Sequence, residues 1–416
     1  MKPVLLRLAG FTFLPLLVLA LPLLLLPIVA RVAGPSGWSS ITAGQAIGVL
    51  AATVILWSWN VSGPVEIARC RTTAERAGVY SKSIRSRLLI AVVVLPLMTA
   101  LVSVVAHDGY GLDAVTMAWA TAMTGFSPSW YGIGTGQPRI LAVFDALPRF
   151  LAAVISATLI LATGQIWIYG VASTLATVAS LISFHRRFGE RGTWFPKDLR
   201  GVFQENLAQA SVAGTNITGS AYASSPVPVA TSTVSSAAAT AGFASADSIY
   251  RFGIFTIVAL GNTFQGWTLE ADASSPRRRH IVACMSHAAL GAAGGLGLAL
   301  LGPWASELLF GDSVKADSLT SIFYGLSFFF LSVSTPLIRN ILIPAKRQKT
   351  VLMWTAICAV AGLFLMTTAG LQSNVPGVAL GMAVSEMLLF FGLLGPAWKL
   401  LPSVDTAPRR SLASSA

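Results

Sequence analysis

Twelve apolar stretches separated by short polar loops constrain this sequence of 416 residues more than any motif does. Each stretch is close to the roughly 20 residues that a helix needs to cross the hydrocarbon core of a bilayer. Lipid offers no partners for backbone N–H and C=O groups, so the spans must be helical. Hydrophobic residues make up 54% of the chain and charged residues 11%, more apolar surface than a soluble core would bury. The predicted spans are 8–29, 39–61, 88–107, 112–130, 140–162, 165–184, 204–226, 238–266, 281–302, 318–340, 350–370 and 376–399.

Basic residues are concentrated on alternate loops. Of the 28 Lys and Arg residues, 23 fall at one end of the predicted spans, with large groups at 69–87, 186–200 and 277–279. The loops at the other end carry only Arg31 and Lys315. The positive-inside rule therefore predicts that both termini are cytoplasmic. Topology and contact with anionic lipid head groups explain the net charge of +12. We expect no nucleic-acid binding, because no soluble basic domain is available to carry it.

The loop between the sixth and seventh spans divides the chain into two sets of six. We predict an N-terminal six-helix bundle over 1–186, a cytoplasmic linker over 187–203, a C-terminal six-helix bundle over 204–401 and a disordered cytoplasmic tail over 402–416. Six is an even number, so both halves would run in the same sense through the membrane, as parallel repeats do.

The loops also argue against catalysis. Those on the predicted outer side are too short to hold a set of catalytic groups, and no Gly-rich loop followed by Lys-Ser or Lys-Thr is present. The three cysteines and four histidines show no ligand spacing. We therefore expect no enzyme activity, no metal and no cofactor.

Five ionisable residues fall deep inside predicted spans: Asp145, Arg149, Asp247, Arg251 and Glu386. A charge near the bilayer centre costs at least about 2.5–3.5 kcal/mol, so it usually faces a partner or a watery cavity. The first four form two acid–base pairs spaced four residues apart, which places both groups of a pair on one helix face. Two interpretations remain open for each pair. It either neutralises itself within a helix bundle or lines a cavity for a charged or sugar-rich substrate.

Three residues near span ends are further candidates for a cavity. Arg31 lies at the outer end of the first span, where extension of its side chain to the membrane surface is the simpler interpretation. Trp130 and Tyr131 lie where the fourth span ends. Aromatic rings there are typical of an interfacial belt, and the alternative is stacking on sugar rings at a cavity mouth.

Three segments resemble a known family when they are taken together. They are "GPVEIARCRTTAERAGVYSKSIRSR" after the second span, "GFSPSWYGIGTGQP" between the fourth and fifth, and "FASADSIYRFG" in the eighth. They are similar to segments of the Wzx-type polysaccharide flippases, the O-antigen and exopolysaccharide translocases of the MATE-like (MOP) exporter superfamily. The resemblance extends over most of the chain and is clearest in spans one to eight.

This resemblance implies an all-α membrane protein with two six-helix bundles facing a central cavity. It implies flipping of undecaprenyl-diphosphate-linked oligosaccharide across a bacterial inner membrane by alternating access. Arg31, Asp247 and Arg251 would be cavity residues, followed by Asp145 and Arg149. The expected partners are the lipid-linked oligosaccharide, membrane lipids and the polysaccharide polymerase machinery.

The sequence departs from the drug-exporting relatives in one respect. Those proteins resemble one another in using acidic residues in the first and seventh helices for cation coupling. Here the first span has no acid, and the seventh has only Glu205 at its start. An ion-coupled exporter of drugs or metabolites is therefore the alternative function rather than the leading one.

Overall fold

The structure is a computed structural model. It describes the backbone of residues 2–190, 192, 194, 198–268 and 276–406. Side chains are described from residue 25 to residue 401, apart from the gaps in those ranges and residues 265, 266 and 276. Part of the predicted linker and residues 407–416 of the predicted tail lie outside the described residues.

The described residues are helical almost throughout and include no strand, which confirms the predicted all-α class. The helices are α1 (Lys2–Leu56), α2 (Trp59–Arg69), α3 (Thr73–Val105), α4 (Gly111–Ala122), α5 (Ser129–Gly134), α6 (Pro138–Leu141), α7 (Leu147–Thr163), α8 (Trp167–Phe188), α9 (Leu199–Ala208), α10 (Ala210–Ser224), α11 (Pro226–Thr233), α12 (Ala237–Thr268), α13 (Pro276–Phe310), α14 (Ser318–Pro336), α15 (Gln348–Leu371) and α16 (Val375–Thr406). A 3₁₀ turn follows α4 at Met123–Phe126.

Nine helical segments among the described residues are long and apolar enough to cross a membrane, and the chain is a multi-pass membrane protein. The nine segments are counted from Leu25 onward, which leaves out most of the first predicted span, and the rest of the difference from twelve has a local cause. The first predicted span and most of the second fall within α1, which bends at Gly34 (φ 64°, ψ −174°), a backbone conformation that is almost confined to glycine. The fourth and seventh predicted spans are shorter pieces, α4 with its 3₁₀ turn and α9 with α10.

Two spans contain a π-helical turn beside a proline. Residues Ala142–Ala146 form one such turn just before Pro148, and Leu337–Leu342 form the other just after Pro336. Proline lacks the N–H that an α-helix would use, so the hydrogen-bond ladder is irregular at these places. The first of the two turns contains Asp145.

The chain forms two compact units, Met1–Ala244 with Ser306–Lys315, and Ser245–Ala305 with Ala316–Ala416. In the first unit α1 packs against α4, and α8 packs against α4 and α7. In the second unit α16 packs against α14 and α15. Residues 204–244 group with the N-terminal helices because α9 contacts α3 and α10 contacts α1. The division into two six-helix bundles at 187–203 stays a prediction.

Candidate functional site

The predicted charge pair in α12 is joined by a tyrosine from α14. The Arg251 Nε donates to Asp247 Oδ2 at 2.5 Å, and the Tyr324 hydroxyl donates to Asp247 Oδ1 at 3.0 Å. The Asp247 side chain is 4% exposed, whereas that of Arg251 is 30% exposed. The carboxylate is therefore enclosed, and the Arg251 side chain is the more exposed of the two. We call Asp247 and Arg251 the α12 pair.

The sequence around the α12 pair explains why the carboxylate is enclosed. Small residues precede it, with Ala244 and Ala246 buried, and such residues let neighbouring helices approach closely. Tyr250 packs against Tyr324 with ring centroids 5.1 Å apart, which fixes the position of the Tyr324 hydroxyl. The pair thus neutralises itself, as the structural interpretation requires, and its assignment to a substrate cavity stays a prediction.

The other predicted pair, Asp145 and Arg149, also forms an ion pair. The Arg149 Nη2 donates to Asp145 Oδ1 at 2.6 Å, and both side chains are partly buried. Within the π-helical turn that contains Asp145, the Phe144 carbonyl accepts from the Ser180 hydroxyl at 2.5 Å. Arg149 borders a cavity of about 180 Å³ within the first unit. Its polar lining comprises Gln45, Thr121, Thr124, Arg149, Tyr169, Ser173 and Thr177.

Glu386 lies in α16 with its side chain inside the second unit. The residue is 6% exposed, and its Oε2 atom has no hydrogen-bond donor among the residues that the structure describes. An ionised carboxylate without partners is costly to bury. Glu386 is therefore a candidate for binding a proton or a small cation.

Arg31 makes a contact with a helix end. Its Nη2 donates to the Leu308 carbonyl at 2.8 Å, in the last turn of α13. A basic group is favourable there because helix C-termini carry partial negative charge. The structure therefore shows Arg31 bound to a helix end, and its role in a cavity stays a prediction.

Trp130 and Tyr131 are both buried in an aromatic cluster of the first unit. Trp130 packs against Trp59 with ring centroids 5.5 Å apart, and Tyr131 packs against Phe184 at 5.3 Å. Because the neighbouring rings cover them, neither ring is open for stacking on a sugar in this conformation. Their assignment to a substrate cavity stays a prediction.

Arg87 is a buried charge that the sequence analysis counted only as a loop residue. It is 0% exposed, and its Nη1 donates to the carbonyls of Gly125 and Ser127 at 3.2 and 3.3 Å. The guanidinium also lies over the Trp130 ring, 5.8 Å from its centroid. Arg87 thus holds the start of the "SPSWYGIGTGQP" loop. The sequence contained one signal that Arg87 is buried. Tyr80 and Arg87 lie two helical turns apart, and therefore on one face of α3.

A row of polar contacts joins α9 and α10 to the first three helices. We call it the polar seam. Its side-chain contacts are Thr53 with Ser220, Ser58 with Gln209, Asn60 with Asn216, Ser86 with Asn206, and Lys82 with Glu205. In addition, the Trp57 Nε1 donates to the Asn206 carbonyl at 3.0 Å.

Apolar burial contributes little to the polar seam. No residue of α9 is buried, and only Ala213 and Ser224 of α10 are. Hydrogen bonds between membrane helices contribute about 0.6 kcal/mol each on average. The seam is therefore a weak attachment. Glu205, the acid at the start of the seventh predicted span, is part of this seam through its ion pair with Lys82.

Taken together, these features define an all-helical, multi-pass membrane protein with ion pairs and an enclosed carboxylate inside its spans. Comparison with solved structures identifies membrane transporters of similar fold. The chain is similar to the lipid II flippase MurJ in an inward closed conformation (TM-score 0.67, 12% identity, 97% of this chain and 90% of that one). It is similar to an inward-facing multidrug resistance MATE transporter of the MOP superfamily (TM-score 0.60, 16% identity, 92% and 96%). A MATE protein in complex with MaL6 is a third match (TM-score 0.53, 15% identity, 97% and 96%).

No protein-family model and no curated relative matches the sequence. The structural likenesses confirm the fold of the MOP superfamily that the sequence resemblance predicted. At these low identities they concern fold alone. The narrower assignment to the Wzx-type flippases stays a prediction.

Proposed function

We propose that this protein flips undecaprenyl-diphosphate-linked oligosaccharide repeat units from the inner to the outer leaflet by alternating access. The observation that carries the proposal is the α12 pair, in which an enclosed carboxylate binds the guanidinium of a partly exposed arginine inside a membrane helix. The similarity to MurJ supports a lipid-linked substrate, because that protein is a lipid II flippase of the same fold.

The chemistry of such a substrate matches the α12 pair. A diphosphate carries negative charge next to its lipid, and a guanidinium binds phosphate oxygens through paired hydrogen bonds. Asp247 fixes the orientation of Arg251 and reduces the cost of keeping a cation inside the membrane. The sugar hydroxyls would cross through a polar interior, since each unpaired hydroxyl in hydrocarbon costs several kcal/mol. The lipid tail would remain in the bilayer.

The polar seam supports movement of α9 and α10 during transport. Its contacts are short-range hydrogen bonds and one surface ion pair, which water can replace when the helices separate. The bend at Gly34 and the break before Pro226 give the neighbouring chain places to change direction. We propose that this seam opens and closes once in each cycle.

The remaining parts of the proposal follow from topology. The protein would lie in the inner membrane of a bacterium with both termini in the cytoplasm, as the distribution of Lys and Arg predicts. The polymerase that joins the repeat units would act on the product at the outer leaflet.

A reconstitution experiment tests the function. Proteoliposomes with a fluorescent lipid-linked oligosaccharide should transfer the label to the opposite leaflet, and Arg251→Ala should abolish transfer while leaving membrane insertion intact. Arg186→Ala is the matched control, because Arg186 is an exposed arginine at the end of α8. Absence of transfer by the unaltered protein, together with export of a cationic dye, would refute the proposal. Normal transfer by Arg251→Ala would assign the α12 pair a structural role.

An ion-coupled exporter is the second candidate, and Glu386 is the observation that favours it. A buried carboxylate without a donor on one oxygen is suited to exchange a proton or cation during a transport cycle. Dye export that depends on an ion gradient and is lost in Glu386→Gln would support the exporter. Lipid flipping that is unchanged in Glu386→Gln would separate this carboxylate from the flippase function.

A further inference from the structure

An apolar groove lies between three helices of the second unit. It has a volume of about 290 Å³. Its lining residues come from α13, from α14 with the π-helical turn after it, and from α16. They are His280, Ile281, Cys284, Met285, Ala288, Val333, Leu337, Phe390, Leu394, Ala397, Trp398 and Leu401. Except for the imidazole and the indole N–H, these side chains offer carbon and sulfur atoms only. The groove therefore suits a hydrocarbon chain.

The groove opens to the surroundings of the protein. Ile281, Met285 and Trp398, which border it, are all exposed. Because the chain spans a membrane, these surroundings are lipid at the depth of the helices. The groove is close to the lower end of the usual range for small-ligand sites, about 300 Å³, so it accommodates one acyl chain rather than a whole lipid.

Basic residues continue the groove beyond the end of its apolar lining. On α13 the lining residues 280, 281, 284, 285 and 288 follow one helix face. Arg277 precedes Ile281 by one turn and Cys284 by two, so it lies on that face, and Arg278 lies at the edge of it. Both arginines are exposed. A hydrocarbon site thus ends at two cations.

This arrangement specifies an amphiphile with a negative head. The charge complementarity disfavours a zwitterionic lipid, whose head group would gain little from two arginines. Basic positions at the ends of membrane helices, next to gaps between helices, are typical sites for anionic phospholipids. We propose that the groove binds one acyl chain of an anionic phospholipid, with its phosphate at Arg277 and Arg278.

Native mass spectrometry of the detergent-purified full-length protein tests this site. The probes are dioleoylphosphatidylglycerol and dioleoylphosphatidylcholine, added separately at matched concentrations. We expect the phosphatidylglycerol to be retained and the phosphatidylcholine to be lost. Arg277→Gln with Arg278→Gln should reduce retention of phosphatidylglycerol about 10-fold or more, since each arginine near a head group contributes to binding of anionic lipid. Equal retention of the two lipids by the unaltered protein would overturn the proposal.

Two controls separate this site from general charge effects. Lys346→Gln with Lys349→Gln removes the same charge from another exposed basic position of the second unit and should leave retention unchanged. An equal loss in that control would overturn the proposal.

Substitutions that fill the groove with a larger side chain give a second test of the lipid site. Ala288→Trp should abolish retention, and Ala288→Leu, a smaller change that is easier to fold, should reduce it. Unchanged retention in both variants would place the lipid elsewhere. Displacement of phosphatidylglycerol by an equimolar amount of undecaprenyl phosphate would assign the groove to the lipid carrier and overturn the phospholipid assignment.

Discussion

The hydrogen bonds around Asp247 predict an order of stability for substitutions in the α12 pair. Tyr324→Phe removes one donor and should cost about 1 kcal/mol, within the range of about 0.6–1.7 kcal/mol measured between membrane helices. Arg251→Gln leaves an enclosed carboxylate without its cation and should cost about 3–5 kcal/mol. Asp247→Asn combined with Arg251→Gln removes both charges together. The double variant should therefore be more stable than Arg251→Gln alone, by about 2 kcal/mol.

The assay is equilibrium unfolding in mixed detergent micelles, followed by circular dichroism. The double-mutant cycle gives the interaction energy between the two side chains, and lipid flipping is measured on the same preparations. We expect the double variant to recover stability and to remain inactive, because Arg251 is proposed to bind the substrate. Equal destabilisation in the double and single variants would refute the coupling. Recovery of both stability and flipping would show that the α12 pair only holds the helices together.

Three further predictions follow from local geometry. Arg87→Leu should destabilise the first unit by about 2–3 kcal/mol, because the carbonyls of Gly125 and Ser127 lose their buried donor. The free energy of unfolding is measured in the same micelles. A change below about 0.5 kcal/mol, a size typical of surface substitutions, would contradict this. Gly34→Ala should lower the melting temperature through backbone strain of about 1–3 kcal/mol. Strain is the only expected cause, since the added methyl group would have no neighbouring atom within 4 Å. An unchanged melting temperature would argue against the bend. Asn206→Ala should increase labelling of a cysteine placed at Ala213, a buried residue of α10, by a water-soluble maleimide, because the polar seam loses its contact with Ser86. Labelling no faster than in the single cysteine variant would contradict this.

Much of the candidate site was predictable because hydropathy and charge are local properties of a sequence. Asp145 with Arg149 and Asp247 with Arg251 are four residues apart within helices, so helical geometry alone brings the charges together, and the structure shows both ion pairs. The partner of Asp247 was not predictable, because Tyr324 is distant in sequence and only packing of α14 against α12 brings it there.

The same distinction applies to residues whose surroundings the sequence did not reveal. Arg87 has a loop-like sequence context, but α3 begins at Thr73, capped by Thr72 and Glu75, which carries Arg87 into the interior. Trp130 and Tyr131 fit an interfacial or sugar-binding position by sequence, but neighbouring rings bury them.

The sequence by itself determined that this protein is helical and crosses a membrane repeatedly, because bilayer thickness and backbone hydrogen bonding leave few other solutions. It also determined where the costly intramembrane charges lie along the chain. Only the tertiary structure decided which of those charges are enclosed, which are accessible and which helices share the polar seam. Those properties depend on contacts between residues far apart in sequence, such as Asp247 with Tyr324 and Ser86 with Asn206. Hydropathy describes each stretch of the chain separately and does not predict such contacts.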